Sequence, residues 1–309
     1  MRLRNLAVVP VVLAAVLATT AATWPSSPTP LPQAPPALTG SALSARYAAD
    51  AQAIGSAERA ADRDGNTQLA SSLATLRTQH VLFFSSSGNG LAAMVLGNLA
   101  TATRVAILVP GSDTTLTTFF SRGSSAPGGG AFALEAEAHR IDPGARLAII
   151  AWLGYPAPAM LSPSVLTSGD AGQGAQALRP LVIALARHGD QVALLCHSYG
   201  SVVCGLAAPH LPVTDIAVFG SPGMDASSVE SLDTKARVWA GLESSDPIRF
   251  VPNIQLLGLG FGADPMSPGF GARIFATGSG GHSDYLSPGS VALRNLTYIA
   301  LGDAAAVTR

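Results

Sequence analysis

Apolar positions along this chain fall into two patterns, and their alternation predicts its architecture. Short unbroken runs, Val105-Ala106-Ile107-Leu108-Val109, residues 147–152, Val192-Ala193-Leu194-Leu195, residues 215–219, 236–242 and 273–276, have the length and composition of strands buried on both faces. Between them lie segments whose apolar residues recur at helical spacing, notably 132–140 and 175–188. Strand and helix taking turns in this way predicts a mostly parallel sheet covered on both faces. Two further runs, Val81-Leu82-Phe83-Phe84 and 91–96, flank Ser85-Ser86-Ser87-Gly88-Asn89-Gly90 and predict a hairpin with a glycine-rich turn. Ahead of them, 41–61 carries Leu43, Tyr47, Ala51 and Ile54 near helical spacing. Asp64-Gly65-Asn66 breaks that helix before a second short one reaching Arg77. Residues 124–130 read as a glycine-rich connection, and the charge-poor stretch from Leu153 to Gly174 as a loop over the carboxyl edge of the sheet.

The amino terminus departs from this pattern. Arg2 and Arg4 precede an apolar run, 6–17, and the small residues Thr20-Ala21-Ala22 follow, which predicts an export signal over 1–22 cut after Ala22. An uncut membrane anchor is the rival reading, and association with a membrane or the cell envelope would then come through this end. Residues 23–40, rich in proline and serine, predict a tether. The domain plan is thus signal 1–22, tether 23–40, helical extension 41–78 and catalytic domain 79–309, a secreted monomer.

Composition narrows the function. The 309 residues are 48% hydrophobic and 12% charged, enough for a sizeable core. With a formal charge of −1 and Lys235 the sole lysine, no basic stripe exists for nucleic acid. The six histidines show no metal-ligand spacing, and no cofactor is expected.

Candidate chemistry gathers where strands end. The run ending in Cys196 breaks into His197-Ser198-Tyr199-Gly200, and a small-residue helical run follows, the strand–turn–helix arrangement that projects a serine nucleophile into a cleft. The position two before the serine holds Cys196 where glycine is usual. Ser198 needs a base, and His282, after the last predicted strand, is the candidate; His197 is its rival, but neighbours at such a turn point apart, so His197 is expected to line the pocket or hydrogen-bond structurally. Asp246, just past the strand 236–242, would orient that imidazole; Asp284 is the rival acid, ahead of Glu243 and Asp264. Backbone amides of Tyr199 and of Ser112 or Asp113, in the turn after the strand 105–109, could hold a developing oxyanion. Asp113 alternatively caps a helix. Cys196 and Cys204, the only cysteines, form either one disulfide or two buried thiols. Between acid and base, residues 250–270 carry Val251, Ile254, Leu256, Leu257, Leu259, Phe261 and Met266, which predicts either a lid or acyl-binding wall or a core-packed excursion.

Val109-Pro110-Gly111-Ser112-Asp113-Thr114-Thr115, His197-Ser198-Tyr199-Gly200-Ser201, Ser245-Asp246-Pro247 and Gly281-His282-Ser283-Asp284-Tyr285-Leu286 together resemble the actinobacterial branch of the α/β-hydrolase superfamily. The resemblance covers roughly residues 77–300. It implies the α/β-hydrolase fold and a Ser198, Asp246, His282 triad, and names no substrate. The expectation is a secreted serine hydrolase acting on small-molecule or lipid carboxylic esters through an acyl-serine. Acyl transfer or amide hydrolysis by the same triad, and a catalytically silent binding module at the cell surface, are the alternatives.

Overall fold

The computed structural model describes residues 37–121, 126–251 and 260–309. The expected signal over 1–22 and nearly all of the tether lie outside them. Eight strands form one sheet in the order β1-β2-β4-β3-β5-β6-β7-β8. They are β1 His80–Ser85, β2 Leu91–Leu96, β3 Arg104–Val109, β4 Leu147–Leu153, β5 Gln191–His197, β6 Asp215–Phe219, β7 Arg237–Gly241 and β8 Arg273–Ile274. The first two make the predicted hairpin, and β2 also runs antiparallel to β4; every pair from β4 to β8 is parallel. Central strands are buried along their length because both faces are covered, which is why they read as unbroken apolar runs.

Helices α3 Pro127–Ile141 and α4 Gly169–His188 cross the sheet in opposite directions, one from β3 to β4 and the other from β4 back over β3 to β5. Right-handed crossovers therefore put them on opposite faces. Helix α5 Gly200–Ala207 packs beside α4, and α6 Val291–Leu301 beside α3. Reversal of strand order at β3 leaves a crevice at the carboxyl ends of β3 and β5, the place where open α/β sheets bind ligands.

Two helices begin earlier than the sequence pattern predicts. Helix α3 takes in Pro127-Gly128-Gly129-Gly130, which read as a connection. Proline suits its first turn, and a side chain at Gly128 would come within 2.6 Å of the Phe120 ring, so glycine here serves close packing. Helix α4 starts at Gly169 and stops at Gly189, whose φ of +102° closes the last turn. Helix α6, which the pattern did not resolve, is capped by Ser290 accepting the Leu293 amide at 3.0 Å.

The amino-terminal pair, α1 Gly40–Arg63 and α2 Thr67–Arg77, packs on the edge strand β1. Asn66 caps α2 by accepting the Leu69 amide. Within α1 the buried Asp50 has one carboxylate oxygen without a hydrogen bond among the described residues, and Arg46, the cation beside it, stands 3.8 Å away. Burial pushes this carboxyl up to about 6, with Arg46 opposing only in part. Because the folded chain holds that proton more tightly than the unfolded one, Asp50 disfavours the fold increasingly as pH rises toward 6, and by a constant amount above. Asp50→Asn is accordingly expected to stabilise the fold by about 1–3 kcal/mol at pH 8. In thermal melts the gain should shrink as pH falls below 6; a gain independent of pH would contradict this account.

Candidate active site

Strand β5 ends at His197, and Ser198 takes φ +52°, a left-handed conformation that only a tightly determined turn imposes on a non-glycine residue. Its amide donates to the Phe219 carbonyl of β6 at 3.0 Å, which holds the turn from one side. On the other side there is no room. A side chain at Gly200 would stand 2.6 Å from the Pro110 carbonyl oxygen, and one at Gly111 would stand 2.7 Å from Ser198 Cβ. These two glycines let β3, the turn and α5 close up around the serine.

Cys196, in place of the usual glycine, is bonded to Cys204, with Cα atoms 6.5 Å apart. The bridge ties the strand leading into the turn to the helix leaving it. Loop closure over so short a span contributes about 2–3 kcal/mol.

His282 joins the three predicted residues. Its Nε2 lies 2.9 Å from Ser198 Oγ, and its Nδ1 lies 3.0 and 2.9 Å from the two Asp246 oxygens. A carboxylate only accepts, so Nδ1 carries the proton and Nε2 offers its lone pair to the serine hydroxyl. Asp246 is fully buried and heads the 3-10 turn Pro247–Phe250. Burial by itself would raise its carboxyl, but hydrogen bonds from His282, Tyr285 and the Ile248 amide hold it below the ordinary aspartate value. The Tyr285 hydroxyl donates at 2.6 Å and the Ile248 amide at 2.8 Å. The rival acids are placed elsewhere. Asp284 accepts the Gly281 amide within its own turn, Asp264 accepts the Met266 amide, and buried Glu243 keeps one carboxylate oxygen without a hydrogen bond among the described residues.

Of the three amides considered for an oxyanion, one is already engaged: Asp113 N–H donates to the Pro158 carbonyl at 2.9 Å. Its carboxylate caps no helix, but accepts the Met160 amide and so pins the loop after β4. This corrects the expectation for Asp113. The Ser112 and Tyr199 amides have no hydrogen bond among the described residues. Beneath them Tyr155, within the stretch that reads from sequence as a loop, donates its hydroxyl to the Pro110 carbonyl at 2.8 Å. It stacks with Tyr199, whose own hydroxyl donates to Thr167 O at 2.7 Å.

A cavity of about 270 Å³ opens over Ser198 and His282, lined by Ser112, Thr114, Thr118, Ser121 and Met160 among others. Much of the expected acyl wall, including Ile254, Leu256, Leu257 and Leu259, lies outside the described residues. Of its described members, Phe261 packs edge-on against Tyr199 within the core, Met266 packs against the core, and Val251 is exposed. Sequence reasoning missed Tyr285 and Met160 as well as Tyr155. Tyr285, three positions after His282, lay inside a motif whose spacing could have flagged it.

The uncharacterized proteins Rv2079 and MT2140 of Mycobacterium tuberculosis are each 34% identical to this chain over 255 residues, covering 70% of it. The chain spans 37% of the length of those relatives. Among solved structures, esterase PE8 is similar at 15% identity with a TM-score of 0.45, covering 68% of this chain and 97% of its own. Esterase LipW from Mycobacterium marinum is similar at 14% identity with a TM-score of 0.40, covering 86% and 90%. A family model described as alpha/beta hydrolase matches residues 86–256, which take in β2 to β7 and the serine turn. With more than half of its length matched, the chain belongs to the alpha/beta hydrolase family.

Proposed function

We propose that this protein is a serine hydrolase of carboxylic esters, working through an acyl intermediate on Ser198. One observation carries the reading: Ser198 Oγ, the His282 imidazole and buried Asp246 stand in a continuous hydrogen-bonded line. In the first step His282 Nε2 takes the hydroxyl proton as Oγ bonds to the ester carbonyl carbon, and the carbonyl oxygen becomes an oxyanion. Ser112 and Tyr199 amides are the donors available to it. Collapse expels the alkoxide, which receives the proton from Nε2. Water then repeats the sequence and releases the acid. Asp246 stays ionised throughout and stabilises the imidazolium.

Cavity size and lining support a compact substrate. About 270 Å³ falls just under the range of roughly 300–1,000 Å³ that drug-sized ligands occupy. Alkyl chain pressed against the Ser112 and Ser121 hydroxyls would leave them unsatisfied, at about 1–3 kcal/mol each. Acetyl to butyryl esters should therefore exceed dodecanoyl esters by roughly tenfold or more in kcat/KM. The buried Cys196–Cys204 bridge supports export, since disulfides persist in oxidising compartments.

Labelling with a fluorophosphonate, mapping of the adduct by mass spectrometry and assay of an ester series from acetyl to hexadecanoyl tests both parts. An adduct on Ser198 with turnover of short esters is the expected result. Absence of any adduct on folded protein would overturn the hydrolase reading. An adduct together with a preference for long chains would overturn only the size argument.

A further inference from the structure

The glycine-rich segment that carries His282 has little stiffness of its own. Gly278, with φ +108°, Gly280 and Gly281 precede the histidine, and a run of this kind samples many backbone conformations unless outside groups fix it. Two anchors come from the loop that bears Asp246: the Ser244 amide donates to Gly278 O at 3.1 Å, and the Ser245 amide to Gly280 O at 3.2 Å. Both act upstream of the histidine, and a local turn brackets it, with the Asp284 amide donating to Gly281 O at 3.1 Å and the Asp284 carboxylate accepting the Gly281 amide at 2.8 Å. The anchor on His282 itself comes from the other side of the site, where His197 Nε2 lies 2.8 Å from the His282 carbonyl oxygen.

We propose that His197, next to the nucleophile in sequence, is a positioning residue that fixes His282 by donating its Nε2 proton to the His282 backbone carbonyl. The inference rests on the serine-hydrolase reading for its kinetic consequence, though not for its geometry. A carbonyl only accepts, so Nε2 of His197 must hold the proton and Nδ1 the lone pair. That single bond links the chain position adjoining Ser198 to the backbone of the residue that must reach it, 85 positions away. It thereby sets the approach of His282 Nε2 to Ser198 Oγ from the serine side, while Asp246 sets it from the acid side.

The surroundings of His197 suit this task and no proton transfer. It is buried at the base of the cavity, with its ring 4.7 Å from that of His282, 5.4 Å from Phe219 and 5.9 Å from Tyr285. Of the ionisable groups facing it, burial and then the neighbouring His282 push its imidazole down to about 3, against opposing contributions from its bond to the His282 carbonyl and from Asp246. A neutral neighbour leaves the transient charge on His282 unopposed; a second cation at this distance would work against it.

Two replacements separate donation from packing. His197→Phe keeps a ring and loses the donor, whereas His197→Gln loses the ring and retains an N–H of similar reach. The phenylalanine variant should lose about 10- to 100-fold in kcat with KM little changed, since a catalytic group displaced by an ångström costs that much. The glutamine variant should recover most of that loss. Independently of turnover, the low-field proton resonance of His282 Nδ1–H should broaden or shift in the phenylalanine variant and return in the glutamine variant. In the unmodified protein, ¹⁵N shifts of His197 should report a proton on Nε2 at neutral pH. Wild-type kcat and resonance in the phenylalanine variant would overturn the proposal, as would a His197 that carries its proton on Nδ1. Because the resonances require no substrate, they decide the positioning role even if fluorophosphonate leaves Ser198 unlabelled and the hydrolase reading fails.

Discussion

Ser198→Ala is expected to lower ester turnover by about 10⁶-fold, with loss of the fluorophosphonate adduct, while the protein stays folded. The size of the effect follows from the placing of the groups. His282 Nε2, 2.9 Å from Oγ, has a lone pair and one hydroxyl to receive a proton from, and removal of that oxygen leaves the base and the Ser112 and Tyr199 amides without a reaction to serve. Stability should move the other way or not at all. The serine holds φ +52° against the preference of any residue with a Cβ, at about 1–3 kcal/mol. Alanine keeps the Cβ and the strain, so its melting temperature should match wild type. Ser198→Gly removes both, and should be equally inactive yet more stable by about 1 kcal/mol. Measured together, turnover and melting of the two variants separate chemistry from strain. Residual turnover within tenfold of wild type would place the nucleophile elsewhere.

What could be read from the sequence, and what could not, divides by the range of the interactions. The meeting of Ser198, Asp246 and His282 was legible because each lies in the segment after a parallel strand, Ser198 directly after β5, Asp246 shortly past β7 and His282 in the glycine-rich stretch after β8, and the fold carries such strand ends to one edge. Bounds were less legible. Helix α3 begins five residues before its apolar pattern does, since Gly128 is there to meet Phe119 and Phe120, a contact no local rule reports. The Asp113 amide looked available because Pro158, which occupies it, lies 45 positions away across an irregular loop. Tyr155 and Tyr285 were passed over for the same reason. Each reads locally as an apolar residue near a strand exit or turn, and each acts through a hydroxyl aimed at a distant acceptor, Pro110 O or Asp246. The Cys196–Cys204 pair stood between: its eight-residue separation permitted a bridge, and only the return of α5 against β5 made one.

Asp246→Asn should lower kcat by about 10⁴-fold, and the reason lies in counting acceptors. The carboxylate accepts from the Ile248 amide on one oxygen, from Tyr285 on the other, and from His282 Nδ1 on both. An amide has one accepting oxygen and one donating NH₂, so either orientation sets N–H groups against a donor already in place. If the NH₂ comes to face His282, the imidazole answers by moving its proton to Nε2, where it points at Ser198 and takes nothing from it. Tyr285→Phe is the internal control, because it removes one donor and leaves the tautomer alone; its loss should be far smaller. The same hydrogen bonds set the response to acid. Since they hold the Asp246 carboxyl below its ordinary value, the folded chain releases this proton more readily than the unfolded one. The stabilisation they supply is therefore complete above the unfolded aspartate value of about 3.9 and disappears as pH falls through the lower folded value. Denaturation of wild type and Asp246→Asn at pH 7 and at pH 3 should accordingly show a stability gap that narrows in acid. A gap that widens there would mean that Asp246 is protonated in the native protein, and the tautomer argument would fall with it.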